Sequence, residues 1–279
     1  MRVLRFLLIL VSIPFSAMAH PPTSVVADSR GNVFFSDLDR VWMVTPDGKK
    51  AAVVSGVHSH ELAVDASDHL HGEHLWYEGD DTGEWGHYLW QRSPEGRVVR
   101  GNPARGFRQD HSFVRDRSGT MYWATAGEGI RKLLAPGEVT VHAKYAFRDP
   151  RAMTATPDGT LFVIDQGDLL RFDAAGRGVT LARSLAEHKL TQFTVNHRHD
   201  LMGLWTDDRE NVYVAVYGAR KVKRVTPSGV VSVVYESTFP WSPTGGLTTS
   251  DGSLWILEAS VTNAIRLRRV DANGKTTTY

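Results

Sequence analysis

The feature that most restricts what this chain can fold into is a tight turn that returns six times. It reads Thr45-Pro46-Asp47-Gly48, Ser93-Pro94-Glu95-Gly96, Ala135-Pro136-Gly137, Asp173-Ala174-Ala175-Gly176, Thr226-Pro227-Ser228-Gly229 and Asp271-Ala272-Asn273-Gly274. Proline pre-sets φ for the second turn position, and glycine takes the positive φ that closes a hairpin. A second turn lies about half a repeat earlier: Ser29 to Asn32, Arg117 to Gly119, Pro157 to Gly159, Asp208 to Asn211 and Ser250 to Gly252, drawn out in the second repeat to Ser67–Gly72. Each leads into an aromatic or aliphatic run such as Val33-Phe34-Phe35, Met121-Tyr122-Trp123 or Leu254-Trp255-Ile256. Four short β-patterned runs every roughly 40–50 residues cannot bury their faces alone, so copies must stand side by side. The expectation is an all-β chain: a six-bladed β-propeller with four antiparallel strands per blade. After residue 20 no stretch carries the sustained 3.6-residue period that a parallel α/β fold needs. The thinnest part is Ala182 to Asp200, with a short helical turn expected at Ser184–Lys189.

Residues 1–19 stand apart. Arg2 and Arg5 make a basic start, Phe6 to Ile13 an apolar centre, and Ala17-Met18-Ala19 a small-residue cleavage site, the pattern of a signal peptide. The apolar run is too short for a membrane anchor. Residues 20–279 then form one propeller domain, periplasmic or secreted, with no membrane anchor after cleavage. The chain has no cysteine, which excludes disulfides and thiol chemistry. Lysine plus arginine number 32 against 31 acidic residues, with no basic stripe, so nucleic acid is not an expected partner and a small molecule is.

Propeller topology gives function an address. The short turns share one face, while the second-to-third-strand loops and the links between blades share the other. The long segments, Glu78–His87, Gly101–Asp110, His142–Pro150, Ser184–Asp200 and Tyr235–Thr244, all fall on the second face. Long loops on a rigid scaffold carry most binding and catalysis. Aligning the inner strands places Thr23, His60, His111, Arg151, Met202 and Thr244 around the channel mouth on that face, with Ser24, Glu61, Ser112, Ala152, Gly203 and Gly245 next.

His60 and His111 fall on adjacent blades, where two imidazoles can share a divalent metal, zinc by preference, with His199, His58 or Glu61 as third ligand. Arg151 would hold a carboxylate or a developing oxyanion, and Glu61 or His199 would move a proton. Glu78, Trp85, His87 and Trp241 are the expected substrate contacts, although loop tryptophans also simply pin loops. Solvated channel residues without a metal are the competing account of the same ring. Trp76, Trp123 and Trp255 read as blade core. His69, His71 and His74 read as a solvated turn on the opposite face. His20 would begin the mature chain, where its amine and imidazole can chelate a metal.

The six repeats, with their Gly-Asn-Val-aromatic and Pro-x-Gly elements, resemble NHL-type repeats and the wider superfamily of gluconolactonase/regucalcin-like proteins, streptogramin lyases and peptidyl-hydroxyglycine amidating lyases. The resemblance covers residues 22–279. It implies a channel-mouth site and a metal-assisted hydrolase or lyase acting on a lactone or other small ester. The gluconolactonase-like metal site uses Glu, Asn and Asp where this chain has Thr23, His60, His111, Arg151, Met202 and Thr244. The amidating lyases hold zinc through histidines, which His60, His111 and Arg151 echo. A non-catalytic ligand- or protein-binding propeller is the alternative.

Overall fold

The computed structural model describes residues 21–105, 112–134, 137–188 and 200–279. Residues 1–20, His111, His197 and His199 lie outside these residues. Six antiparallel sheets, each built from consecutive strands, make the blades of a propeller. Blade 1 is β1 (Val25–Ala27), β2 (Val33–Ser36), β3 (Arg40–Val44) and β4 (Lys50–Ser55). Blade 2 is β5 (Leu62–Val64), β6 (Leu70–Tyr77), β7 (Trp85–Arg92) and β8 (Val98–Arg100), with β9 (Ala104–Arg105) added along β7. Blade 3 is β10 (Ser112–Arg115), β11 (Met121–Thr125), β12 (Gly129–Leu134) and β13 (Glu138–Ala143). Blade 4 is β14 (Pro150–Ala155), β15 (Leu161–Asp165), β16 (Asp168–Phe172) and β17 (Gly178–Ala182). Blade 5 is β18 (Leu204–Thr206), β19 (Val212–Val216), β20 (Lys221–Val225) and β21 (Val231–Glu236). Blade 6 is β22 (Trp241–Thr248), β23 (Leu254–Ser260), β24 (Ile265–Val270) and β25 (Thr276–Thr278).

The first turns of the blades are built in two related ways. In blades 1, 2, 3 and 5 an aspartate opens the turn, and its Oδ1 accepts the backbone N–H groups two and four residues on. Asp28 serves Arg30 and Asn32, Asp65 serves Ser67 and His69, Asp116 serves Ser118 and Thr120, and Asp207 serves Arg209 and Asn211. Thr156 and Thr249 open the other two, helped by Asp158 and Asp251. The fourth position has positive φ in all six: glycine in four blades, Asp68 (φ 60°) in blade 2 and Glu210 (φ 58°) in blade 5. The second-repeat turn is therefore of ordinary length, not drawn out, because an aspartate tolerates the left-handed region where glycine is usual.

The core lies between blades rather than within them. Phe34, Val41, Leu62, Leu70 and Trp90 join blades 1 and 2. Ile130, Leu161, Val163 and Phe172 join blades 3 and 4, and Phe162, Ile164, Val212 and Val214 join blades 4 and 5. Met202, Trp205, Tyr213 and Ile256 join blades 5 and 6. Each buried side chain of this size is worth roughly 1.5–3 kcal/mol against about 1 kcal/mol for a capped turn. The packing thus holds the ring, and the turns set its register. Met202 belongs to this core instead of the channel mouth, and Thr244 is likewise buried. Ser184–His188 runs as an irregular link with no helical turn.

Blades 6 and 1 close the ring through a parallel bridge between Ser24 and Gly246, with Val25, Phe35, Trp255, Leu257 and Tyr279 packed beside it. Here the inner strands meet backbone to backbone. A Cβ on Gly245 would lie 1.7 Å from the Thr23 carbonyl oxygen, and one on Gly203 2.8 Å from the same atom. Gly245→Ala should therefore cost roughly 3 kcal/mol and lower the melting temperature by about 5–10 °C, because a main-chain clash has no rotamer to escape into. Gly56→Ala, at a positive-φ site with open space around it, should cost only about 1 kcal/mol. Thermal melts giving the two variants equal losses would show that the close approach at the seam is not limiting.

Candidate functional site

Blade 2 presents the most elaborate arrangement at the loop face. The segment His58–Glu61 leads into β5 and is tied to β6 at successive residues. The His58 N–H donates to His74 Nδ1 at 2.8 Å, and the His58 carbonyl accepts from Leu75 N at 3.1 Å. The Ser59 hydroxyl donates to the Glu73 carbonyl. Glu73 Oε1 accepts the N–H groups of His60 at 2.7 Å and Glu61 at 3.1 Å. Beneath them Trp90 donates to the Glu73 carbonyl at 3.0 Å and to Ser59 Oγ at 3.1 Å. Gly72 makes room for that indole: a Cβ there would sit 2.3 Å from Trp90 Cζ2.

On this frame His60 Nδ1 lies 4.0 Å from Glu73 Oε1, with the imidazole 20% exposed and the Glu73 side chain fully buried. The His58 and His60 rings meet edge to face at 4.8 Å. Glu61 points across to blade 1, where its carboxylate accepts the hydroxyls of Thr23, at 2.7 Å, and Ser24. The Thr23 N–H in turn donates to the His60 carbonyl at 3.1 Å. His60, Glu61, Glu73, Thr23 and Ser24 thus form one connected group, of which Thr23, Ser24 and Glu61 line the channel.

The other expected site residues fall around it. Arg151 sits on a bulge of β14 and pairs with Asp149. Trp85 and His87 are not on a loop but on β7, because the strand starts earlier than the sequence suggests and the loop is only Glu78–Glu84. Trp85 packs on Tyr77 with ring centroids 5.3 Å apart, and Glu78 pairs with Arg105 at 3.0 Å. Trp241 also opens a strand, β22, under the Arg266 guanidinium at 3.9 Å. That guanidinium is held by the fully buried Glu258 at 2.6 Å, whose other oxygen accepts the Tyr235 hydroxyl at 3.1 Å. Burial together with the Glu258 charge pushes the Tyr235 phenol up to about 12, so this cluster latches blades 5 and 6.

Of the three core tryptophans, Trp255 is buried, while Trp76 and Trp123 are half-buried. The His69–His74 group divides. His71 bonds Asp65 Oδ2 at 3.0 Å, as Tyr122 and Tyr213 bond their turn aspartates. His74 belongs to the loop-face frame instead, since β6 runs from one face to the other. Glu73, His74 and a further imidazole–carboxylate pair, His188 Nδ1 to Asp200 Oδ1 at 2.9 Å, are residues that sequence reasoning passed over or left without a partner. For Glu73 the sequence carries no signal, because β6 mixes buried, half-buried and exposed residues.

The channel itself is a cavity of about 1100 Å³. Thr23, Ser24 and Glu61 line its loop-face end, and it runs past the inner strands to the first turns, where Asp28, Asp116, Asp208 and Asp251 stand. His60, Arg151, Trp85, His87 and Trp241 are not in its wall. Among the described residues no three His, Asp or Glu side chains are grouped to hold a metal ion. Nor is any helix among them long and apolar enough to cross a membrane.

Burial lowers the affinity of both His58 and His74 for protons, helped by His74 for the first and Arg100 for the second. His74 must also keep Nδ1 unprotonated to accept the His58 N–H. Both imidazoles are thus harder to protonate in the fold than in the unfolded chain. Their contribution to stability is whole above about pH 6.5 and is lost as pH falls through their lower folded values. Melting temperature should decline on acidification below pH 6.5, and His74→Asn, which keeps an acceptor for His58, should flatten part of that decline. An unchanged pH profile in this variant would remove His74 as a source.

No family model matches the sequence, and no curated protein matches it. Solved structures do. Virginiamycin B lyase from Staphylococcus aureus superposes with a TM-score of 0.56 at 12% identity, over 93% of this chain and 84% of that one. A putative gluconolactonase superposes with a TM-score of 0.61 at 14% identity, over 92% and 90%. Regucalcin from Agrobacterium tumefaciens, a calcium-binding protein, superposes with a TM-score of 0.55 at 18% identity, over 85% and 82%. The chain therefore has the six-bladed propeller fold that gluconolactonase, regucalcin and streptogramin B lyase structures share.

Proposed function

We propose that this chain is an exported enzyme, a hydrolase or lyase acting on a small molecule of the lactone or ester type at the loop-face end of the channel. The observation that carries the reading is the His60 imidazole, partly exposed, backed by a fully buried carboxylate and adjacent to Glu61 at the neck of the channel. Proteins named gluconolactonase and virginiamycin B lyase share the fold, which supports the reaction class. In this reading the imidazole takes a proton from a water attacking the ester carbonyl, or from carbon in an elimination, and returns it to the leaving oxygen. Glu73 offsets the positive charge that His60 carries in between. Arg151, with Asp149 beside it, adds a cation to the same face, and Glu78, Trp85, His87 and Trp241 are the proposed substrate contacts.

A divalent ion, zinc in the first instance, held by His60 with His111 and His199 belongs to the same proposal. It would supply a bound water that ionises near neutral pH. Two of those three ligands lie outside the described residues, and the proton transfers above need only His60 and Glu73. The second reading, a binding propeller without turnover, is favoured by the cavity reaching the turn face with His60 and Arg151 absent from its wall.

Purified mature protein should open members of a lactone and ester panel, and His60→Ala should lower kcat at least about 100-fold with an unchanged melting temperature. Turnover that His60→Ala leaves intact would sink the assignment. Thermal stabilisation by a panel member without turnover would favour the binding propeller. Elemental analysis and a chelator arm decide the metal, and an intact mass beginning at His20 decides export.

A further inference from the structure

The inner strand of each blade ends on the residue before its first turn, because the turns open at Asp28, Asp65, Asp116, Thr156, Asp207 and Thr249. The last strand residues are Ala27, Val64, Arg115, Ala155, Thr206 and Thr248, and all of them line the channel cavity toward its turn face. Arg115 is the sole charged member of this ring. It is half-buried. Its Nη1 donates to the Gly119 carbonyl at 3.0 Å and its Nη2 to the Met121 thioether at 3.2 Å. A thioether is a weak acceptor, and a guanidinium carries donors on every nitrogen. Nε and one hydrogen on each Nη are left for a ligand. Asp65 and Asp116 act on Arg115 through charge alone, without a hydrogen bond. Each is turned to its own blade: Asp65 bonds His71 at 3.0 Å, and Asp116 accepts the Tyr122 hydroxyl at 3.3 Å. Burial depresses the proton affinity of the guanidinium, against the pull of those two charges. A cation partly withdrawn from water with no anion in contact loses solvation free energy, which an anion seated on it offsets.

The wall beside Arg115 selects among anions. Val26, Val64, Val114 and Leu247 line the same cavity, each half-buried. The carboxylates of Asp28, Asp116 and Asp158 also stand at this end. They disfavour a dianion such as phosphate more than a single negative charge, and the aliphatic side chains favour an apolar body behind that charge. We propose that the turn-face end of the channel binds a small organic carboxylate, with its charge on the Arg115 guanidinium and its apolar body along the inner strands. A planar guanidinium suits a carboxylate, which accepts two parallel N–H bonds from it. The site lies at the far end of the channel from Thr23, Ser24 and Glu61.

Hexanoate is the probe. NMR titration of the purified protein should show saturable hexanoate binding, with hexanol and hexylamine binding more weakly. Arg115→Met, which keeps the length and the apolar bulk, should weaken hexanoate binding at least about tenfold with an unchanged melting temperature. Arg115→Lys, which keeps the charge without the fork, should fall between the two. His60→Ala should bind hexanoate as the natural protein does. Hexanoate that fails to bind, or that binds Arg115→Met equally well, overturns the proposal. So does hexylamine binding as tightly as hexanoate, which would make the turn aspartates the controlling charges. Loss of binding in His60→Ala would put the carboxylate at the loop face and overturn it too. Should Arg115→Met fail to fold, the natural protein decides alone: hexanoate should slow modification of Arg115 by phenylglyoxal, read by peptide mass, and an unchanged rate overturns the site. None of these readouts uses turnover, so the carboxylate site and the reaction proposed for the loop face fail separately.

Discussion

A propeller must hold its first and last blades together, and here the contact is made by packing rather than by exchanging a strand. Each blade consists of consecutive strands. The seam depends on Trp255 lying between the Val25–Phe35 face of blade 1 and the ring of Tyr279, and on one parallel backbone bridge at Ser24–Gly246. Nothing wider than a glycine fits at Gly245 against Thr23. Closure thus draws the inner strands of blades 5, 6 and 1 together at the loop-face end of the channel, and this fixes where Thr23 and Ser24 stand.

The candidate site follows from that placement. Thr23 and Ser24 form one wall of the neck, and the Glu61 carboxylate reaches them from blade 2. The backbone that carries it is held by the Glu73 carboxylate, above Trp90 inserted over Gly72. A tightly packed seam stands on one side of the neck and a segment braced by a carboxylate on the other. The channel cavity, by contrast, extends to the turn face, where most aspartates are occupied in holding their own turns. Those carboxylates, Asp65 of blade 2 among them, serve the fold, while Glu61 and Glu73 are bonded at the loop-face end.

The repeated turns were legible in the sequence because their determinants are local. A proline, a residue able to take positive φ and a short side chain capping two N–H groups all lie within five residues. Six copies required six four-stranded blades; of the expected inner ring, Thr23 and His60 meet through the backbone, while Met202 and Thr244 are buried. Strand length was less legible. Trp85, His87 and Trp241 looked like loop residues because a glycine or a proline stands beside each, yet pairing with Tyr77, Leu75 and Ser260 draws them into sheets. What only the tertiary structure decided is the role of Glu73. An acid in a strand reads as exposed by pattern alone. That it points inward became visible once the blade registers were superimposed, because burying it depends on Trp90, Ser59 and two backbone N–H groups brought from more than ten residues away.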